Sequence, residues 1–350
     1  MNFFSSVKLF CSMTFMNKRV FGADLLLLAT AAVWGFGFVA QRSGMQYVGP
    51  FAFNGIRFLL GSVCLLPLVA WRKRGRPPAA PAERKTLFFS SFLAGSCLFA
   101  GVTFQQLGMM ATTAGNAGFI TGLYVIFTPL FGIFLGRKTG VPTWIGAVLN
   151  LLGLFFLSYS GSLGGVNPGD LVVVVSAVFW ALHVLIIDRL VQKNDPIALS
   201  SGQFAVVGLY ALAAAFLVEP PLSAWLETLG GGLASSGYFY WKSFPVLITE
   251  LASGALPAAF VLGALIPILY GALGSVGIGY TLQTVAQRHA PPAHATIILC
   301  LEGSFAALGG VLLLREPVEP RIIIGFALML AGMFASQWEL VRGQGVGGRE

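Results

Sequence analysis

Ten stretches of this chain run for about 20 residues with almost no charge, and a helix of that length crosses the roughly 30 Å hydrocarbon core of a bilayer. They lie at 24–42, 50–71, 86–108, 114–135, 141–160, 170–187, 197–218, 261–283, 292–314 and 321–341. Inside lipid, a backbone N–H or C=O finds no water, and a helix satisfies these groups within its own segment. The expected fold is therefore an all-α integral membrane protein with about ten transmembrane helices. The charge content agrees, because only 10% of the 350 residues are charged, too few to cover a soluble domain of this size.

The basic residues fix an expected orientation. With the N-terminus cytoplasmic, sixteen Lys and Arg fall in inner segments and four (Arg42, Lys242, Arg315 and Arg321) fall outside. Cytoplasmic loops carry the excess in bacterial and eukaryotic membranes alike, so a cytoplasmic tail at 1–23 and another at 342–350 are expected. The net charge of +8 is thus a matter of topology, and no nucleic-acid partner is expected. Residues ahead of Lys18 look like neither a clean signal peptide nor a helix, and Met16 followed by Lys18 and Arg19 is an alternative start. The location implied is a cell membrane crossed many times, a bacterial inner membrane for preference.

Two related halves make up the sequence. A shift of 146 pairs Asp24 with Asp170, Trp34 with Trp180, Gln46 with Gln192, Pro50 with Pro196 and Phe58 with Phe204. Further on, a shift of 178 pairs Gly101 with Gly279, Gln105 with Gln283, Phe127 with Phe305 and Arg137 with Arg315. The change of register places an insertion near 227–259, expected as an outer loop carrying Tyr238, Phe239, Tyr240 and Trp241. Five spans per half is an odd number, so the halves enter the membrane in opposite directions. Inverted repeats of this kind build many secondary transporters, with the solute site near the midplane where the halves meet.

The stretches AAVWGFGFVAQR, GPFAFNGIRF, GYTLQTVAQRHAPPAHATIILCLEGSFAALGGVLLLREP and GFALMLAGMF together resemble the EamA-type domain pair of the drug/metabolite transporter superfamily. The resemblance covers a first five-helix repeat at 24–160 and a second at 170–338. It implies two inverted five-helix repeats that export or exchange metabolites, amino acids or drug-like solutes by alternating access. It also implies that helices 1, 3, 6 and 8 line a central cavity, which makes Trp34, Trp180, Gln105 and Gln283 candidates for solute contact. The family often carries an acid after the fourth helix of each repeat. Glu316 keeps it here, whereas Lys138 stands at the matching first-half position.

Other candidates follow from the residues alone. Glu302 is the one acid deep within a span, where a charge costs about 2.5–3.5 kcal/mol, so a proton or a partner is expected there. Its readings are proton coupling, binding of a solute amine, or a structural carboxyl between helices. Arg57, whose repeat mate is Gln203, would either hold a solute carboxylate or link helices structurally. His183 would bond between helices or relay protons. His294 opens the ninth span opposite the repeat position of Asn116, and the two are candidates for gating or for helix capping. Gly146 with Gly153 and Gly325 with Gly332 each mark a helix face for close packing within or between subunits, which leaves a homodimer open.

Rival classes are poorly supplied. An intramembrane enzyme needs clustered catalytic groups, and the chain has three histidines and one deep carboxylate. Cys11, Cys64, Cys97 and Cys300 show no ligand spacing, so no metal or cofactor is expected. A channel is the closer alternative, but nothing resembles a repeated polar filter. Nor does any segment resemble a nucleotide-binding loop. The expected partners are a small-molecule substrate, membrane lipid and, through Glu302, a proton, with facilitated exchange as the runner-up.

Overall fold

A computed structural model describes residues 18–75, 77–112, 114–158, 168–219, 244–254, 256–306, 308 and 320–341. The proposed start at Met16, the aromatics Tyr238 to Trp241, and Arg315 with Glu316 lie outside these residues. The elements are all helices. In chain order they are α1 (Lys18–Gly44), α2 (Pro50–Lys73), α3 (Pro81–Gly108), α4 (Ala114–Thr121), α5 (Tyr124–Phe134), α6 (Val141–Ser158) and α7 (Pro168–Leu190). There follow α8 (Pro196–Leu217), α9 (Phe244–Ala252), α10 (Ala258–Leu269), a π-helical run Tyr270–Tyr280, α11 (Thr281–Ala286), α12 (Pro292–Leu299) and α13 (Pro320–Val341).

Seven of these segments are long and apolar enough to cross a membrane: Arg19–Phe38, Pro50–Lys73, Pro81–Gly108, Ala117–Phe134, Pro168–Leu190, Pro196–Leu217 and Phe260–Ala286. Val141–Phe156 and Pro320–Ser336 are shorter apolar helices. The chain is therefore a multi-pass α-helical membrane protein. Of the expected span at 292–314, the described part is Pro292–Leu299 and the helical residues 302–306. One expectation needs correcting. The inserted segment is not all loop, because α9 forms within it and Leu247 packs on the cluster that holds Phe51 and Ala215.

Local chemistry sets the boundaries. Pro50, Pro81, Pro196 and Pro292 each open a helix at its first turn, where the missing N–H has no intrahelical role and φ is already suitable. Asp195 caps α8 by accepting from the N–H groups of Ile197 and Ala198, both at 3.1 Å. The matching position before α2 is Gly49, which offers no side chain. Glu219, at the far end of α8, takes over: its Oε1 accepts from Ala52 N–H at 2.8 Å. A Cβ on residue 49 would lie 2.4 Å from that carboxyl, so only glycine leaves room for it.

Helices meet closely wherever glycine allows. A Cβ on Gly146 would lie 2.6 Å from the carbonyl of Gly332, and one on Gly153 would lie 2.6 Å from that of Gly325. The glycine faces anticipated from sequence thus join α6 to α13 within one chain. α2 and α8 pack along each other, locked midway by Ser62 Oγ donating to Ser201 O at 2.8 Å and Ser201 Oγ donating to Ser62 O at 3.2 Å. Outward faces stay apolar, with Phe88, Phe89, Leu66, Leu209 and Ile266 exposed, as a lipid-facing surface requires.

The π-helical run is the irregular element. Pro267 in α10 cannot donate to the helix ladder, and Gly271, Gly274, Gly277 and Gly279 follow it. Proline loosens the helix, and i→i+5 bonding often marks functional segments. Here the run faces α1 and α2 and ends on Tyr280.

Candidate functional site

A small cavity lies inside the bundle, about 30 Å³, room for roughly two waters. α1 contributes Trp34, Phe38 and Gln41, and α3 contributes Gln105. The α4–α5 segment adds Thr121 and Tyr124, and α7 adds Trp180 and Val184. Ser275, Tyr280 and Gln283 come from the eighth span, while Leu299 and Glu302 come from the ninth. All four symmetric candidates, Trp34, Trp180, Gln105 and Gln283, therefore reach the same space.

Three rings form one wall. Trp34 lies 4.6 Å from Tyr280 between ring centroids, Trp180 stacks on Tyr280 at 5.9 Å, and the two indoles are 6.4 Å apart. Phe58 and Phe204, themselves repeat mates, back Tyr280 at 5.7 and 6.0 Å. Trp34 is fixed by donating Nε1–H to Ser275 O at 3.1 Å. The carbonyl of residue 275 lies within the π-helical run and faces α1.

The polar groups of the wall are only partly used. Gln105 Nε2 donates to Thr121 Oγ1 at 3.1 Å, and Gln283 Nε2 donates to Gln287 Oε1 at 3.1 Å. Gln283 Oε1 and Trp180 Nε1 are buried without a hydrogen-bond partner among the described residues, and the Tyr124 hydroxyl faces the Cys300 thiol. Buried polar atoms are nearly always bonded, so Gln283 Oε1 and Trp180 Nε1 are free to bond to whatever enters the cavity. Glu302 is 7% exposed and lines this cavity with neither a hydrogen bond nor an ion pair among the described residues. It interacts electrostatically with Tyr124, Tyr280 and Cys300.

The remaining sequence candidates fall elsewhere. Arg57 does not line the cavity; it is 1% exposed, donates to Asn54 Oδ1 at 3.0 Å and Gln41 Oε1 at 3.4 Å, and lies over the rings of Phe53 and Phe58. Among the described residues it makes no hydrogen bond or ion pair with Glu302. His183 shares a hydrogen bond with Gln203 at 2.9 Å and stands behind Trp180. His294 bridges Asp24 and Ser336, each at 2.9 Å, tying the starts of α1 and α12 to α13. Asn116 is in α4, and its side chain lies outside the described residues.

The two ends of the bundle close differently. At the end where α1 begins, His294 joins Asp24, Arg137 pairs with Asp188, and Arg72 pairs with Asp195 at 2.9 Å. Asn194 Nδ2 donates to Ser90 Oγ at 3.0 Å there, and Gln287 Nε2 donates to the carbonyl of Val184 at 2.9 Å, just below the cavity. At the opposite end Phe38, Met45, Met109, Ile120 and Val173 form an apolar cluster, beside which Thr112 donates to Asp170. Phe38 belongs both to this cluster and to the cavity wall.

Sequence reasoning missed Tyr280, Tyr124, Gln41 and Glu219. The 178 shift carried one usable signal: it makes Tyr124 the repeat mate of Glu302, and both reach the cavity. Tyr280 has no such mark, since its mate is Val102.

Comparison with known proteins agrees with this architecture. The model of the EamA-like transporter family matches residues 21–159 and 243–336. A protein of Archaeoglobus fulgidus named an uncharacterized transporter is 27% identical over 323 residues, 91% of this chain and 87% of that one. The uncharacterized inner membrane transporter YedA of Escherichia coli strain K12 is 26% identical over 218 residues, 61% of this chain and 67% of its own. A solved crystal structure of a protein shares the fold with a TM-score of 0.67 over 92% of this chain and 98% of that chain, at 18% identity. The relatives from Archaeoglobus fulgidus and Escherichia coli are both named as transporters. With its membrane-spanning helices and a cavity built from both ends of the chain, this protein belongs to the EamA-like transporter family.

Proposed function

We propose that the chain is a secondary carrier, exporting a small solute by exposing its central cavity alternately to the two sides of the membrane in exchange for protons. The observation that carries this reading is Glu302, a carboxyl without a partner among the described residues, on the wall of a buried cavity. Such a group is costly inside a membrane unless it is used. A proton and a solute compete for it, and each leaves on the side where the other arrives.

Two inverted five-helix repeats, 24–160 and 170–338, supply the moving parts in this account, with both termini cytoplasmic. Trp34 with Trp180, Gln105 with Gln283, and Tyr124 with Glu302 are mates in the two sequence shifts and meet at one cavity. The crossing of α6 and α13, where Gly146 meets Gly332 and Gly153 meets Gly325, supports the same symmetry. Short side-chain-free contacts of this kind suit rigid-body rocking about a seam.

The test compares small molecules released by cells that make the wild type, Glu302→Gln or no carrier, at several external pH values. Release of one metabolite class by wild type alone, dependent on the pH gradient and lost in Glu302→Gln, is the expected result. Release unchanged in Glu302→Gln would remove proton coupling at this residue and leave facilitated exchange. No release by correctly inserted wild type across a broad panel would contradict export.

A further inference from the structure

We propose that the solute is an aromatic organic cation, a protonated arylalkylamine or its close chemical kin, and not a zwitterionic amino acid. The proposal rests on the carrier reading above and names the substrate class of the same cavity. Its basis is the charge and ring content of the wall. Among the described residues Glu302 is the single ionisable carboxyl of the lining, and no Lys, Arg or His joins it.

The cation that an amino acid's carboxylate would need is already committed. Arg57 is not in the cavity lining; one layer behind it, its Nε donates to Asn54 and its Nη2 to Gln41, and its guanidinium lies over the faces of Phe53 and Phe58. A carboxylate brought into this space would meet Glu302 with no counter-charge, and an uncompensated buried charge is strongly disfavoured. An ammonium meets the opposite situation. It gains the Glu302 carboxylate, and Gln283 Oε1 is an acceptor without a partner among the described residues.

The rings complete the match. Trp34, Trp180 and Tyr280 touch one another around the cavity, and indole and phenol faces attract cations and stack on flat rings. Trp180 Nε1 remains for a neutral polar substituent. Because the cavity now measures about 30 Å³, the rings must part for any such solute to enter. The same carboxylate cannot hold a proton and pair with an ammonium at once, so each amine bound releases one proton, and the exchange moves no net charge.

The test uses the full chain in proteoliposomes with an acidic interior and three tracers that share a phenyl ring: 2-phenylethylamine, phenylalanine and 3-phenylpropionate. Saturable uptake of the amine at least about tenfold faster than of the other two, the ratio that roughly 1.4 kcal/mol of discrimination gives, is expected. Quenching of tryptophan fluorescence by the amine in detergent should show the same order of binding, with no variant required. Glu302→Gln should lower amine binding about tenfold or more, while Glu302→Asp retains part of it. Preference for phenylalanine or for the propionate would overturn the substrate class and leave the carrier reading intact. Failure of the amine to bind or move would also overturn it, and the metabolite-release comparison then judges the carrier reading separately.

Discussion

The end of the bundle where α1 begins is held by charges, and the opposite end is held by grease. His294–Asp24, Arg137–Asp188 and Arg72–Asp195 close the first, whereas Phe38, Met45, Met109, Ile120 and Val173 close the second. The difference is one of cost on opening. Separated charges regain water, so an opened ionic seal recovers much of what it loses. An opened apolar seal recovers nothing, at about 1.5–3 kcal/mol for each large side chain fully exposed. Under the proposed carrier reading these ends are two doors built from unlike materials, which respond to different perturbations and can each be loosened alone.

The largest effect is expected at the apolar door. Phe38→Ala removes a ring shared by the seal and the cavity wall and should destabilise the closed far end by about 3 kcal/mol. Labelling of Ser275→Cys by an impermeant maleimide added from that side, in a cysteine-free background, should rise sharply. Unchanged labelling would mean that the cluster is packing and not a seal. Arg137→Gln comes next, because it removes the cation paired with Asp188, whose side chain is 5% exposed against 31% for Arg137. With the arginine partly solvated, we expect about 2 kcal/mol, read as greater labelling of the same cysteine from the α1 side.

Smaller changes separate charge from hydrogen bonding. Asp24→Asn keeps an acceptor for His294 and should loosen that end by about 1 kcal/mol, measured by hydrogen exchange at the start of α1. Arg72→Gln breaks a pair whose members are 38% and 32% exposed, and about 0.5 kcal/mol is expected, visible as a small drop in thermal midpoint that vanishes in high salt. A larger effect from Arg72 than from Arg137 would reverse the ranking by burial on which the comparison stands.

Sequence made the scaffold legible because apolar length is a direct physical requirement of the bilayer. The family resemblance pointed to Trp34, Trp180, Gln105 and Gln283 together, and all four line the one cavity. Where a mate differs in type, the pairing was silent. Tyr124 answers to Glu302 and Arg57 to Gln203, and neither pair looks alike on the page. Arg57 stays open between binding and structure in the sequence because its partners, Gln41 and Asn54, are ordinary polar residues at helix spacing until the fold brings them together. Glu219 was invisible for a related reason. Its task exists only because Gly49, unlike Asp195, leaves the start of α2 without a cap of its own. The helix α9 inside the insertion had too little length to register as a span.

The central claim is that one cavity is served by two doors that never open together. Spin labels at Lys138 and Lys193 would span the charged end, and labels at Gln46 and Leu171 the apolar end, in the full chain reconstituted in lipid. Distances measured across a pH step should change in opposite senses, one pair widening as the other closes. Joint widening of both pairs would describe a channel, and no change in either would contradict alternating access.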